Sequence, residues 1–174
     1  MKRWGLLTVV GIAATWLISL PSGATVKHGQ HVTDKKYGIS FNLPSTWKQP
    51  SLVVTSTGSV KLEVLNRFSS TSFGIVQVEP LAGRNVSAAG IAAGIREESS
   101  ASALANVTGS EIVKLPFGKA EQLTFTLQIP NSALIYGTVE GFYLNRRTYY
   151  VFVSSPSASV ASTALKTVMA SWGS

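Results

Sequence analysis

Tyr37-Gly38-Ile39-Ser40-Phe41-Asn42-Leu43-Pro44-Ser45-Thr46-Trp47-Lys48 opens the part of this chain that is patterned to fold. Ile39, Phe41 and Leu43 alternate with Ser40 and Asn42, the period-two pattern of a strand with one buried and one wet face. Pro44 has no N–H to give a ladder and ends the strand. Trp47 then stands in an expected loop over Ser45–Ser51. Val60, Leu62 and Val64 repeat the alternation against Lys61 and Glu63, and a third strand is expected from Phe73 to Glu79, closed by Pro80.

The period then changes. Ser87 is a natural N-cap for an Ala- and Glu-rich helix reaching about Ala105, with Ile91 and Ile95 one turn apart. Gly90 and Gly94 weaken that helix by roughly 1 kcal/mol each relative to Ala. Val107 to Leu115 is extended, and Pro116-Phe117-Gly118 makes a turn. Leu123, Phe125, Leu127 and Ile129 alternate strictly with Thr124, Thr126 and Gln128. Pro130-Asn131-Ser132 turns the chain into a neighbour running from Ala133 to Leu144, and Asn145-Arg146-Arg147 turns it again. Tyr149-Tyr150-Val151-Phe152-Val153 is apolar on both faces, as a strand covered on two sides must be. Ser157 can cap a last helix whose apolar stripe is Ala161, Leu165, Val168 and Trp172. Short loops imply antiparallel pairing, so the expected fold is α+β: an antiparallel β-sheet flanked by helices in an αβα sandwich.

Upstream, Lys2 and Arg3 precede an apolar run from Trp4 to Leu20, and Pro21 and Ser22-Gly23-Ala24 follow. That is the layout of an export signal cut after Ala24. The rival is an uncleaved anchor, the one way in which a membrane would be involved, but the run is slightly short of the roughly 20 residues that span a bilayer. The expected division is a signal peptide over 1–24, a flexible lead-in over 25–36 and one domain over 37–174. The 174 residues contain no cysteine, so disulfides, thiolate chemistry and a lipid anchored on cysteine are all excluded. Without Lys2 and Arg3, thirteen basic side chains face eight acidic ones. This mild excess suits an acidic protein surface or an anionic envelope polymer. With an export signal and no nucleic-acid module, nucleic acid is not an expected partner.

Three features together resemble the PsbP-like fold. They are the opening Tyr37–Lys48 stretch, similar to a Gly-Phe-Ser-Phe-x-x-Pro-x-x-Trp entry, the Gly118-Lys119-Ala120-Glu121-Gln122-Leu123 turn into a meander, and a last helix ending in Ser171-Trp172. Exported bacterial proteins of the DcrB and LpqN type are similar. The resemblance implies a sheet covered by helices and a binding or assembly role rather than catalysis. It implies no cofactor.

Candidate chemistry is sparse. Arg146 and Arg147, flanked by Tyr143 and Tyr149, form a tip that can grip carboxylate or phosphate; the plain alternative is a charged hairpin that resists aggregation. Trp47 either lines a pocket or fills the core beneath its loop. His28 and His31, spaced His-x-x-His near Asp34, are the candidate metal ligands, against a solvated tail. No Gly-x-Ser-x-Gly elbow is present, and any Ser-His-Asp set would lie in that tail. Glu140 is the one carboxylate among apolar neighbours, although an outward-facing strand position is the simpler expectation. Asn85-Val86-Ser87 and Asn106-Val107-Thr108 match a glycosylation acceptor that counts only in a eukaryotic secretory route, and the chain reads as bacterial. The leading expectation is an exported, non-enzymatic domain that recognises a protein or envelope component. A small-molecule or metal carrier with a cleft near Trp47 comes second, and a hydrolase with an unrecognised site last.

Overall fold

The computed structural model describes residues 24–27, 31–48, 50–55, 61–68, 73–82, 87, 90–91, 104–128 and 134–173. The expected export signal before Ala24, His28, Asn85 and the body of the expected first helix (92–103) lie outside the described residues.

Ten strands and one long helix are described. The strands are β1 (Ala24–Lys27), β2 (His31–Asp34), β3 (Ile39–Asn42), β4 (Pro50–Thr55), β5 (Lys61–Arg67), β6 (Phe73–Ala82), β7 (Leu104–Leu115), β8 (Gly118–Gln128), β9 (Leu134–Leu144) and β10 (Arg147–Ser155). The C-terminal helix spans Ala158–Ala170. All pairings are antiparallel. Seven strands form one sheet in the order β4-β5-β6-β10-β9-β8-β7, and β1-β2-β3 form a second.

The expected meander is present as β7 to β10, each strand beside the next. Strand β10 occupies the centre of the large sheet and is buried from Thr148 to Ser155, as its two-sided apolar pattern requires. In β8, Leu123, Phe125 and Leu127 are buried and Thr124 and Thr126 half-buried, following the sequence alternation. The β9–β10 hairpin closes with Asn145 and Arg146 at φ 50 and 64. Both central residues in the left-handed region is the type I′ geometry that matches strand twist.

Each face of the large sheet carries its own core. On one face, Val64, Val76, Val151 and Val153 pack with Phe41 and Trp47 of the small-sheet region and with Ala164, Leu165 and Val168 of the helix. On the other, Leu123, Phe125, Val139, Tyr150 and Phe152 pack around Ile91. Ser87 caps the turn carrying Ile91: its hydroxyl accepts the Gly90 N–H at 3.1 Å and its carbonyl the Ile91 N–H at 3.0 Å. The C-terminal helix is sealed by aromatics. Trp172 stacks on Phe41 at 5.8 Å and meets Phe142 and Tyr149 edge-on at 5.1 and 5.4 Å. Two hydrogen bonds clip this end to β3, from Asn42 N–H to Ser171 Oγ and from Gly173 N–H to the Ser40 carbonyl, both 2.8 Å.

Four expectations are corrected. Where it is described, the expected loose lead-in over 25–36 is strand up to Asp34: β1 and β2 pair there, and β2 also pairs with β3. The opening strand β3 belongs to this small sheet, so the helix shares its face of the large sheet with a second sheet instead of covering a single layer. Strand β4 replaces the end of the expected Ser45–Ser51 loop. Leu104 and Ala105 begin β7 and do not end a helix.

Candidate functional site

Three turns converge at one end of the large sheet. The β9–β10 turn is fixed by the Leu144–Arg147 pair. The β8–β9 register sets Ala120 opposite Phe142, which brings the Pro116–Phe117 turn to the same end; the Phe117 and Phe142 rings are 4.9 Å apart. The β2–β3 turn, Lys35 to Gly38, joins them from the small sheet. Buried Asp34 holds its shape, because Oδ1 accepts the N–H groups of Lys36 at 2.9 Å and Tyr37 at 3.4 Å. The Tyr149 hydroxyl donates to the Tyr37 carbonyl at 2.8 Å and ties that turn to the central strand. Burial pushes the Tyr149 hydroxyl's pKa up, with Arg147 opposing, so it stays a neutral donor.

The result is a cationic surface assembled from remote sequence. Lys35, Lys36, Lys114, Lys119 and Arg146 are exposed and Arg147 is half-buried. The Lys36 ammonium lies 5.1 Å and the Arg147 guanidinium 5.7 Å from the centre of the Tyr37 ring, a cation–π arrangement that holds both at the surface. Lys114 and Lys119 are direct cross-strand partners at the same end but on the opposite face of the large sheet, since their neighbours Val113, Leu115 and Ala120 pack into the helix-side core. These turns carry no acidic residue except Asp34, whose charge is spent on backbone N–H groups. Tyr143, 38% exposed, sits beside them on β9.

Of the expected site residues, Arg146, Arg147 and Tyr143 stand at this end. Tyr149 and Trp47 are core residues with exposures of 1% and 0%, and neither is accessible to a partner. The Trp47 ring packs edge-on against Phe68 at 6.2 Å, and its backbone N–H donates to the Pro44 carbonyl at 2.9 Å. His31 is ordered within β2: Nδ1 lies 2.7 Å from Asn42 Oδ1 and Nε2 lies 3.2 Å from Ser40 Oγ, so both nitrogens are engaged. Among the described residues no group of three His, Cys, Asp or Glu is placed to hold a metal ion. Sequence reading missed Lys35, Lys36, Tyr37, Lys114 and Lys119; the signals present were a Lys-Lys pair before Tyr37-Gly38 and two lysines flanking the Pro116-Phe117-Gly118 turn.

A cavity of about 360 Å³ opens elsewhere, between the outer strands β7 to β9 and the C-terminal helix. Trp47 is not part of it. Beside it lies Glu140, opposite Gln122 and two residues from Thr138, both of which line the cavity. Glu140 is 5% exposed, against the expectation of an outward-facing residue, because β9 is buried on both faces from Gly137 to Phe142. Its Oε2 has no hydrogen-bond partner among the described residues. Desolvation, with a smaller contribution from the charge of Glu111, lifts its pKa from 4.5 to about 7.

No family model and no curated protein matches the sequence. Among solved structures, the chain is similar to the solution structure of cyanobacterial PsbP (CyanoP) from Synechocystis sp. PCC 6803, with a TM-score of 0.61 over 85% of this chain and 96% of that one, at 12% identity. The fold is therefore PsbP-like: mostly antiparallel sheet with a C-terminal helix. At that identity the likeness is one of fold.

Proposed function

We propose that this chain is an exported, non-enzymatic recognition domain whose cationic end binds closely spaced anionic groups on an acidic protein or an envelope polymer. The carrying observation is that two turns from distant parts of the sequence bring Lys36 and Arg147 onto one tyrosine ring, with Lys35 and Arg146 in the same turns. Arginine and lysine beside aromatic rings suit carboxylate and phosphate, and such a field steers anionic partners over about a Debye length, roughly 8 Å at physiological ionic strength. Export is supported by the Lys2-Arg3, Trp4–Leu20 and Ser22-Gly23-Ala24 pattern.

The test is capture of the mature chain's partner from its own cell envelope, with wild type beside a Lys35→Ala, Lys36→Ala, Arg146→Ala, Arg147→Ala variant. Wild type is expected to bind in a salt-sensitive manner and the variant to lose binding. Protease treatment of the envelope separates the two sources: loss of capture identifies a protein, retention a polymer. Undiminished binding by the variant overturns the reading.

A further inference from the structure

The cavity beneath the C-terminal helix is separate from the cationic end and has its own chemistry. It exists because the helix packs over β9, β10, β6 and β3, leaving this face of β7 and β8 open at its flank. The helix presents small side chains there (Ala158, Ala161 and Ser162), and these leave the space above the strands unfilled. At about 360 Å³ it falls within the roughly 300–1,000 Å³ typical of small-molecule sites.

The floor is a row of hydroxyls in cross-strand register. Thr124 of β8 lies opposite Thr138 of β9, with Thr108 of β7 alongside. Their hydrogen bonds leave complementary capacity. Thr108 Oγ1 donates to Thr124 Oγ1 at 3.2 Å, so the Thr124 hydroxyl accepts there and keeps its own proton to donate. Thr138 Oγ1 donates to the Leu123 carbonyl at 3.3 Å, so its oxygen remains an acceptor. A donor and an acceptor therefore stand side by side on neighbouring strands, about 5 Å apart at Cβ. Two adjacent hydroxyls of one ligand, each able to give and take a proton, complement that pair. Around it, the threonine methyls, Leu165 and the Tyr136 ring supply carbon surface, and Ser162 and Lys166 add polar groups on the helix side. Carbon surface with a few fixed polar groups suits a ring that carries C–H faces and hydroxyl edges.

We propose that this cleft binds a single sugar ring, gripping a vicinal diol between Thr124 and Thr138 under the C-terminal helix. The site is independent of the cationic end, so either can fail without the other. Lys166, the charged residue in the lining, stands exposed and leaves the diol-binding floor uncharged.

The experiment titrates the ¹⁵N-labelled mature chain with glucose, N-acetylglucosamine and trans-1,2-cyclohexanediol, following amide shifts, with cyclohexanol as the control lacking a diol. Saturable shifts are expected at Thr124, Thr126, Thr138 and Ser162 with at least one sugar and with the diol, and none with cyclohexanol. Thr124→Val keeps the β-branched shape and removes the hydroxyl; it is expected to weaken binding about tenfold, the worth of one hydrogen bond. Ser162→Trp starts from an exposed helix position, fills the cleft and is expected to abolish binding while the folded spectrum persists. No saturable shift with any sugar overturns the proposal. So does binding unchanged in Thr124→Val, shifts that persist in Ser162→Trp, or equal response to cyclohexanol. Should Ser162→Trp fail to fold, Thr124→Val and the cyclohexanol control still decide.

Discussion

Replacing Glu140 with glutamine should make the protein more stable in alkali and leave it unchanged in acid. Glu140 shares its face with Gln122 on one side and Val151 on the other, and burial with the nearby charge of Glu111 raises its pKa to about 7. An acid whose folded pKa lies above its unfolded one holds its proton more tightly in the native state, so stability falls as pH rises through that window. The penalty is absent below about pH 4.5 and complete above about pH 7. A displacement of that size corresponds to at most about 3 kcal/mol. The burial behind this shift is incomplete, so solvent screening takes part of it, leaving about 1–2 kcal/mol. Glutamine keeps the shape and never ionises. In urea or thermal unfolding followed by circular dichroism, Glu140→Gln and wild type should coincide at pH 4.5. At pH 8.5 the variant should melt about 2–8 °C higher, given roughly 2–4 °C per kcal/mol for a chain of this size. The difference between the two proteins cancels other titrating groups, including Tyr150, which burial and the charge of Glu79 lift to about 12. A gap that does not change with pH, or a variant weaker than wild type in alkali, would mean that the ionised carboxylate is well solvated or paired and would refute the reasoning.

Trp172→Ala removes the ring on which Phe41, Phe142 and Tyr149 converge and should cost about 3–5 kcal/mol in chemical unfolding. Trp172→Phe should cost less than about 1.5 kcal/mol, because it also deletes a buried indole N–H that has no acceptor among the described residues. Gly137→Ala would drive a methyl into the Phe125 ring and should destabilise by about 1–3 kcal/mol, seen as a lower denaturant midpoint at unchanged slope. Lys119→Glu replaces a like-charged pair with Lys114 by an opposite one and should stabilise by about 0.2–1 kcal/mol while weakening capture of an anionic partner.

What the sequence made legible follows from how each strand is buried. The Leu123–Leu127 alternation was readable because that strand buries one face with carbon and leaves threonine on the other. Strand β10 was readable because both of its faces are apolar. Strand β2 was hidden: its two buried positions are Val32 and Asp34, and the second is a charge satisfied locally by turn N–H groups. Strand β4 was hidden because Pro50 and Ser51 carry turn chemistry while serving as an edge strand. Glu140 defeated a parity argument, since parity separates inside from outside only when one face is wet. Arg146 and Arg147 adjoin in the chain and could be picked out. Their meeting with Lys36 and Tyr37 depends on how one sheet docks on another, which no local pattern encodes.

The arrangement of charge at that end runs against folding. Lys114 opposes Lys119 across a strand pair, and Lys36 and Arg147 share one tyrosine ring. Like charges so placed repel; Glu121, on the face of Lys119 and diagonal to Lys114, offsets the lysine pair, whereas the turns that carry Lys36 and Arg147 have only Asp34 beside them. Two of the chain's carboxylates, Glu79 and Glu140, are instead buried in the large sheet, where the second is costly to ionise. Local choices that disagree with stability concentrate where a surface has work to do. The hydroxyl-lined cleft involves no such conflict: its threonines have high strand propensity, and its hydrogen bonds are made within the sheet. Of the two proposed sites, the cationic end is the one where local charge disagrees with folding, and an anionic surface laid across it would relieve the repulsion between Lys36 and Arg147.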